Sequence, residues 1–374
     1  MRRGLWPTIG VLIGTLLAPG SAAATFPGTN GRIAFDDWAT GQTYAINPDG
    51  TGLLQLTHVN VDRGQWAGDP AWSPDGTRIA YEAFKHGEVR LWIMEADGGN
   101  KTRLTHGRSN TFDLLPVFTP DGARLVFQRF RFVPVPESDE GGFYQATIQS
   151  IAVDGTDRQG LTTTTPPLEV FDFDPSVSPD GRTVVFSRSN HNYDGIERQL
   201  YSMGIDGSNQ RALTPPEYEA WFPDWSPDGN RIVFTDNSDR VGHNGWVMNA
   251  NGTNIMPLTS QPFPHSDLQF QYSPDGSKIV FASDRATDCC KDLFFLTQMF
   301  VMNADGSGQT AVDTGTPAPH DFAWGTAPAI TVAAAPRASV GAVEAVARVR
   351  SQCAGPLLDV SVDRCEALRS STRR

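Results

Sequence analysis

Cysteine is nearly missing from this sequence: four in 374 residues, at Cys289, Cys290, Cys353 and Cys365. No CxxC or CxxH pair exists, so the usual spacing of a thiolate metal site is excluded. Charge is sparse too, at 19% of residues, and bases are the scarcer sign, with 30 Lys and Arg against 42 Asp and Glu. A formal charge of −12 without a basic patch in the body of the chain argues against a nucleic-acid partner. No Gly-x-Ser-x-Gly elbow is present, which counts against a propeller-type serine peptidase. No EF-hand spacing occurs either, so any calcium would be held by residues from separate parts of the chain. Past the first 24 residues no stretch is long and apolar enough to cross a bilayer as a helix.

What is present begins with a leader. Arg2 and Arg3 precede an apolar stretch from Leu5 to Leu17, and Ala22-Ala23-Ala24 offers a small-residue cleavage site. Residues 1–24 therefore read as a signal peptide, which predicts a secreted protein, periplasmic or extracellular. The two arginines suit Sec or twin-Arg export. Removing this segment takes two bases and no acids, leaving −14. In an oxidising compartment some cysteine pairing is expected. Cys353 with Cys365 would close a short loop, and a long-range bridge from Cys289 or Cys290 is the competing arrangement.

Glycine (36) and proline (27) are abundant, and they punctuate the chain at intervals. Ser73-Pro74-Asp75-Gly76, Thr119-Pro120-Asp121-Gly122, Ser178-Pro179-Asp180-Gly181, Ser226-Pro227-Asp228-Gly229 and Ser273-Pro274-Asp275-Gly276 are copies of one motif. Pro presets the first turn position and Gly accepts a positive φ, so each copy predicts a tight hairpin turn. A β-rich run such as Ile79-Ala80-Tyr81 or Val184-Val185-Phe186 follows each one. A second turn comes later, at Asp49-Gly50, Asp97-Gly98, Asp154-Gly155, Asp206-Gly207, Asn251-Gly252 and Asp305-Gly306, and a short segment ending in Leu-Thr closes five of the six copies. Four strands per repeat is the plan of a propeller blade.

There are six second turns but only five first turns. The first copy starts late, at Asn30-Gly31-Arg32-Ile33, and lacks its leading strand. Asp321-Phe322-Ala323-Trp324-Gly325 looks like Asp69-Pro70-Ala71-Trp72-Ser73 and has no blade of its own. The expectation is an all-β, six-bladed propeller over residues 25–328, its ring closed by a C-terminal strand that completes the first blade. Residues 329–374 form a tail with seven arginines against four acids, partly disordered by expectation.

The Trp-Ser-Pro-Asp-Gly-x-x-Ile-x-Phe pattern with its downstream Asn-x-Asp-Gly resembles the WD40-like (PD40) repeats of TolB-type propellers. That resemblance implies the six-bladed fold and a protein- or peptide-binding role in the cell envelope.

Aligned on Pro70, the strands that enter the centre carry Asp69, Asp174 and Asp321 at one position, where Leu115, Phe222 and Gln269 stand in the other copies. Two residues earlier, Asp113, Asp172 and Asp267 form a second set, with His265 and His320 close by. Carboxylates crowded at one channel mouth need a cation, water or a basic partner to remain ionised. This predicts a mouth that binds a basic protein or peptide, or a divalent cation such as calcium held by Asp69, Asp174 and Asp321. Each Asp can equally cap its own turn. The alternative is a carbohydrate lyase or hydrolase whose metal is held by Asp or by histidines such as His58, His106, His265 and His320. Long insertions in three copies, Gln128–Gln149, Ser187–Gln199 and Ala282–Gln298, would frame the same face.

Overall fold

The structure is a computed structural model, and it describes residues 25–107, 110–134, 142–163, 169–192, 195–236, 243–262, 265–285 and 297–327. Residues 1–24, expected to be a signal peptide, residues 328–374, all four cysteines and parts of the three insertions lie outside the described residues. Among the described residues there are 24 strands and no α-helix.

The strands run as consecutive antiparallel meanders. The first comprises β1 (Asn30–Asp37), β2 (Gln42–Ile46) and β3 (Leu54–Gln55). Next come β4 (Trp66–Trp72), β5 (Arg78–Lys85), β6 (Glu88–Glu95) and β7 (Thr102–Arg103). The third is β8 (Thr111–Phe118), β9 (Arg124–Pro134), β10 (Gly142–Ala152) and β11 (Gln159–Gly160). The fourth is β12 (Glu169–Val177), β13 (Thr183–Asn192), β14 (Gly195–Gly204) and β15 (Arg211–Ala212). The fifth is β16 (Ala220–Trp225), β17 (Arg231–Asp236), β18 (Asn244–Asn249) and β19 (Met256–Pro257). The sixth is β20 (Asp267–Tyr272), β21 (Lys278–Ser283), β22 (Gln298–Asn303) and β23 (Thr310–Val312). The last strand, β24 (Pro319–Thr326), returns to pair antiparallel with β1, placing Trp324 opposite Ile33 and Ala323 opposite Ala34. The strand missing from the first copy is thus supplied from residues 319–326. The third and fourth meanders join as one eight-stranded sheet through a single parallel bridge, Ala146 to Phe171.

Local chemistry explains the repeat. In each Ser/Thr-Pro-Asp-Gly turn the Gly adopts positive φ, and the Asp carboxylate accepts from the Ser or Thr hydroxyl, at 2.6 Å for Ser178–Asp180. The short closing segments end in Leu-Thr because both residues extend the pairing. The Leu104 N–H donates to Leu91 O at 2.8 Å, and the Thr105 hydroxyl then accepts the Leu91 N–H at 3.0 Å. The same pair of bonds recurs at Thr57, Thr162, Thr214 and Thr259. The second-turn glycines lie against the previous meander. A Cβ on Gly98, at φ +84, would meet the Leu56 carbonyl oxygen at 2.8 Å, so no other residue fits this contact.

The apolar core lies between neighbouring sheets. One cluster joins Ala80 and Leu91 to Val117, Val126 and Ile148, and on to Val177 and Val184. Another joins Ile33, Phe35 and Trp324 to Leu268, Val280 and Met299, across the seam where the chain returns. The first strands touch in a cycle: β4 with β8, β8 with β12, β12 with β16, β16 with β20, β20 with β24 and β24 with β4. They therefore surround one axis.

Candidate functional site: a buried carboxyl cluster on the inner strands

Each inner strand carries a bulge at one equivalent position. Between Gly68 and Ala71, for example, β4 takes one residue more than its partner β5. The middle residue adopts positive φ in all six strands: Asp69, Leu115, Asp174, Phe222, Gln269 and Asp321, from +48° to +60°. Leu and Phe seldom take this conformation, so the surroundings must hold it.

They do so through the backbone N–H that the bulge turns toward the neighbouring meander. Asp69 N–H donates to the Asp36 carboxylate at 3.4 Å, and Leu115 N–H to Glu82 Oε2 at 3.1 Å. Gln269 N–H reaches Thr235 Oγ1 at 3.3 Å, and Asp321 N–H reaches Gln269 Oε1 at 3.2 Å. Asp36, Glu82 and Thr235 each follow the aromatic residue of a second strand, Phe35, Tyr81 or Phe234. Sequence reasoning missed Asp36 and Glu82. The available signal was that position after the aromatic, which is otherwise Gln128, Ser187, Thr235 and Ala282.

The outcome is a carboxyl cluster where the first and second meanders meet. Asp36, Asp69, Glu82 and Asp321 are all nearly closed to solvent, with Asp321 only 1% exposed. Burial, and then the charge of Asp321, push Asp36 and Asp69 well above the ordinary carboxylate range. Burial lifts Glu82 to about 8, against hydrogen bonds from Asp69 and from the Leu115 N–H. The side chains of Asp36 and Asp321 share a hydrogen bond, as do those of Asp69 and Glu82. Among the described residues no Lys or Arg forms an ion pair with Asp36, Asp69 or Glu82, and Asp69 Oδ1 has no hydrogen-bond partner. The cluster at neutral pH therefore holds protons shared between carboxyl groups.

Asp174 lies further around the axis. Burial raises it to about 7, while the Ser187 hydroxyl, the Phe222 N–H and the Arg198 charge hold it lower. Arg198 lies 3.4 Å from the centroid of the Trp221 ring, and burial brings its guanidinium down to about 10. His243 is driven down to about 4 by burial and by Arg198, so it is neutral.

The second predicted set behaves differently. Arg129 grips Asp113 through two bonds of 2.6 and 2.8 Å, and Arg188 grips Asp172 through two of 2.6 and 2.9 Å. Arg285 reaches Asp267 at 2.6 Å. Bidentate pairing already occupies both oxygens of Asp113 and Asp172, whereas Asp267 is held through Oδ2 alone. The histidines do not gather. His320 is buried and stacks on Trp38 with centroids 4.8 Å apart. His265 faces Asp284 at 3.4 Å, His106 is exposed, and His58 lines a surface cleft with Tyr81, Lys85 and Lys101. Among the described residues no group of three or more His, Cys, Asp and Glu stands at metal-holding geometry.

No family model matches the chain. It is 29% identical over 198 residues to an uncharacterized protein of Agrobacterium fabrum, covering 50% of this chain and 59% of that one. It is 27% identical over 222 residues to the uncharacterized peptidase YuxL of Bacillus subtilis, covering 58% of this chain and 29% of YuxL. The chain thus spans less than two thirds of the length of either relative. Among solved structures it resembles TolB from Acinetobacter baumannii, with a TM-score of 0.60 and 17% identity over 79% of this chain and 67% of that one. At that identity the likeness carries the fold: an all-β, TolB-like propeller.

Proposed function

We propose that this chain is a secreted, TolB-like, six-bladed propeller that works as a binding scaffold in the cell envelope or outside the cell. Its partner is a protein or peptide that presents a basic side chain to the acid-lined axis. The cycle of contacts among the inner strands and the return of β24 to β1 support the six-blade reading. The observation that carries the binding reading is the buried group of Asp36, Asp69, Glu82 and Asp321, three of which pair with no Lys or Arg among the described residues. A lysine or arginine side chain arriving there would meet carboxyl groups that gain by losing their shared protons to solvent. Binding would therefore release protons and weaken with salt. The other predicted row, Asp113, Asp172 and Asp267, is already engaged by arginines.

The test is calorimetry with an oligolysine peptide, and capture from envelope extract, using the wild type and the Asp69→Asn, Asp321→Asn double variant. The expected result is binding accompanied by proton release, lost in the variant and reduced in about 0.5 M salt. Equal capture by both forms at every salt concentration would overturn the reading.

A further inference from the structure

Asp224 is a second buried acid, placed away from the cluster and independent of the binding role proposed above. It stands on β16, two residues after the bulge residue Phe222. The matching residues on the other inner strands are Ala71, Val117, Ser176, Gln271 and Ala323, so Asp224 is the one acid at this level. It is 2% exposed, and no Lys or Arg pairs with it among the described residues. Its Oδ2 accepts the Tyr272 N–H at 2.9 Å and the Thr25 hydroxyl at 2.9 Å. Its Oδ1 has no hydrogen-bond partner among the described residues. A charge in this position is costly unless something cationic joins it.

The segment that reaches Asp224 is the one that directly follows the predicted leader. Thr25 is fully buried, and its hydroxyl also bonds Tyr272 O at 3.0 Å. Phe26, 5% exposed, is seated in the cluster with Ala80, Val117 and Val177. Gly28 N–H donates to Pro274 O at 3.0 Å. The backbone N–H of Thr25 faces the Asp224 carboxylate, and it opposes the upward push that burial gives this acid. Three anchors thus hold the nitrogen of residue 25 beside a carboxylate that lacks a counter-ion.

We infer that hydrolysis of the Ala24–Thr25 peptide bond by a leader-processing peptidase completes this site, converting the Thr25 amide nitrogen into an α-ammonium that forms a buried ion pair with Asp224. Water is the co-reactant. Ala24 leaves with the new carboxylate, and the freed amine of Thr25 takes up a proton. Processing then does more than release the protein: it supplies the missing cation at one end of the propeller axis, and the folded state is completed only after export. The small-residue run Ala22-Ala23-Ala24 fits the cleavage, and the buried seat of Thr25 sets where the mature chain must begin.

Three measurements on the exported protein test this. Intact mass and N-terminal sequencing are expected to place the first residue at Thr25; a mature chain that begins elsewhere overturns the inference. Labelling of the native protein with an amine-reactive reagent is expected to leave the Thr25 amine at least about tenfold less reactive than the lysines, with the difference lost on unfolding. Labelling at the lysine rate overturns it. Finally, Asp224→Asn is expected to lower Tm by about 5 °C or more in the mature chain. In a chain that keeps one extra residue before Thr25, the same substitution has a much smaller effect. Equal loss in both chains overturns the pairing. The labelling result stands even if Asp224→Asn does not fold.

Discussion

Two rows of aspartates share the same inner strands, two residues apart, and live in opposite electrostatic conditions. Asp113, Asp172 and Asp267 face second-strand or loop arginines and are charged members of tight pairs. Asp69, Asp174 and Asp321 sit on the bulge, where the chain turns inward; burial raises Asp69 and Asp174, and only in Asp174 does an arginine, Arg198, work against that push. On a regular strand residues two apart share a face. The bulge inserts one extra residue and breaks that rule, so one row belongs to its own sheet and the other to the axis. The same amino acid sits in an arginine ion pair in the first row and among buried polar groups and other acids in the second.

The largest way to break this contrast is to remove an arginine. Arg188→Met leaves Asp172, whose side chain is fully buried, with an unpaired charge, and about 3–5 kcal/mol of stability is expected to go. Adding Asp172→Leu should restore most of it, because an apolar pair of similar volume often equals a buried ion pair. Urea denaturation of the single and double variants measures both. In the other row, Asp69→Asn removes a group that resists ionising, so a loss near 3 kcal/mol there would collapse the distinction.

A change of pH sharpens the contrast without mutation. Glu82 and Asp174 have folded pKa values of about 8 and 7, well above those of an unfolded chain. Between about pH 4 and 8 the folded chain keeps protons that the unfolded chain has released. Their contribution is complete below about pH 4 and is lost as pH rises through 7 and 8. The Tm is therefore expected to fall from about pH 5 to pH 8.5, and Glu82→Gln should flatten that slope. A Tm that rises over this range would contradict the protonated cluster.

The smallest effect separates both rows from a third kind of aspartate, the one in the turns. Asp180 is held below the usual carboxylate range by the Ser178 hydroxyl, with burial working against it and the Arg182 N–H helping. Its contribution is present above about pH 4 and is lost as pH falls. Asp180→Ala should cost about 1 kcal/mol at neutral pH, read from the shift in denaturation midpoint, and less in acid.

Much of the architecture was legible in the sequence because turns have local chemistry. The five Ser/Thr-Pro-Asp-Gly motifs marked the hairpins, and the surplus strand at Asp321–Gly325 pointed to its pairing with β1. The site was only half legible. Asp69, Asp174 and Asp321 could be aligned because four of the six bulge residues precede a proline (Pro70, Pro116, Pro175 and Pro223). Asp36 and Glu82 could not be found by that alignment, because they lie on the following strands and meet the bulge of a different meander. The arginines of the paired row escaped notice for a similar reason. Arg129 and Arg188 are opposite Asp113 and Asp172 only once the hairpin register is known. Pairing across strands is a property of register, and register is written in the turns only indirectly.

The return of β24 to β1 also sets a timetable. A chain that leaves the ribosome N-terminus first must hold β1 without its inner neighbour until residues 319–326 have emerged. For that interval the first sheet keeps an open edge and an uncovered face, so the assembly snaps shut in one late step. Truncation anywhere before β24 would leave a sticky, unlatched chain, and cellular quality control would see a molecule that is either whole or conspicuously unfinished.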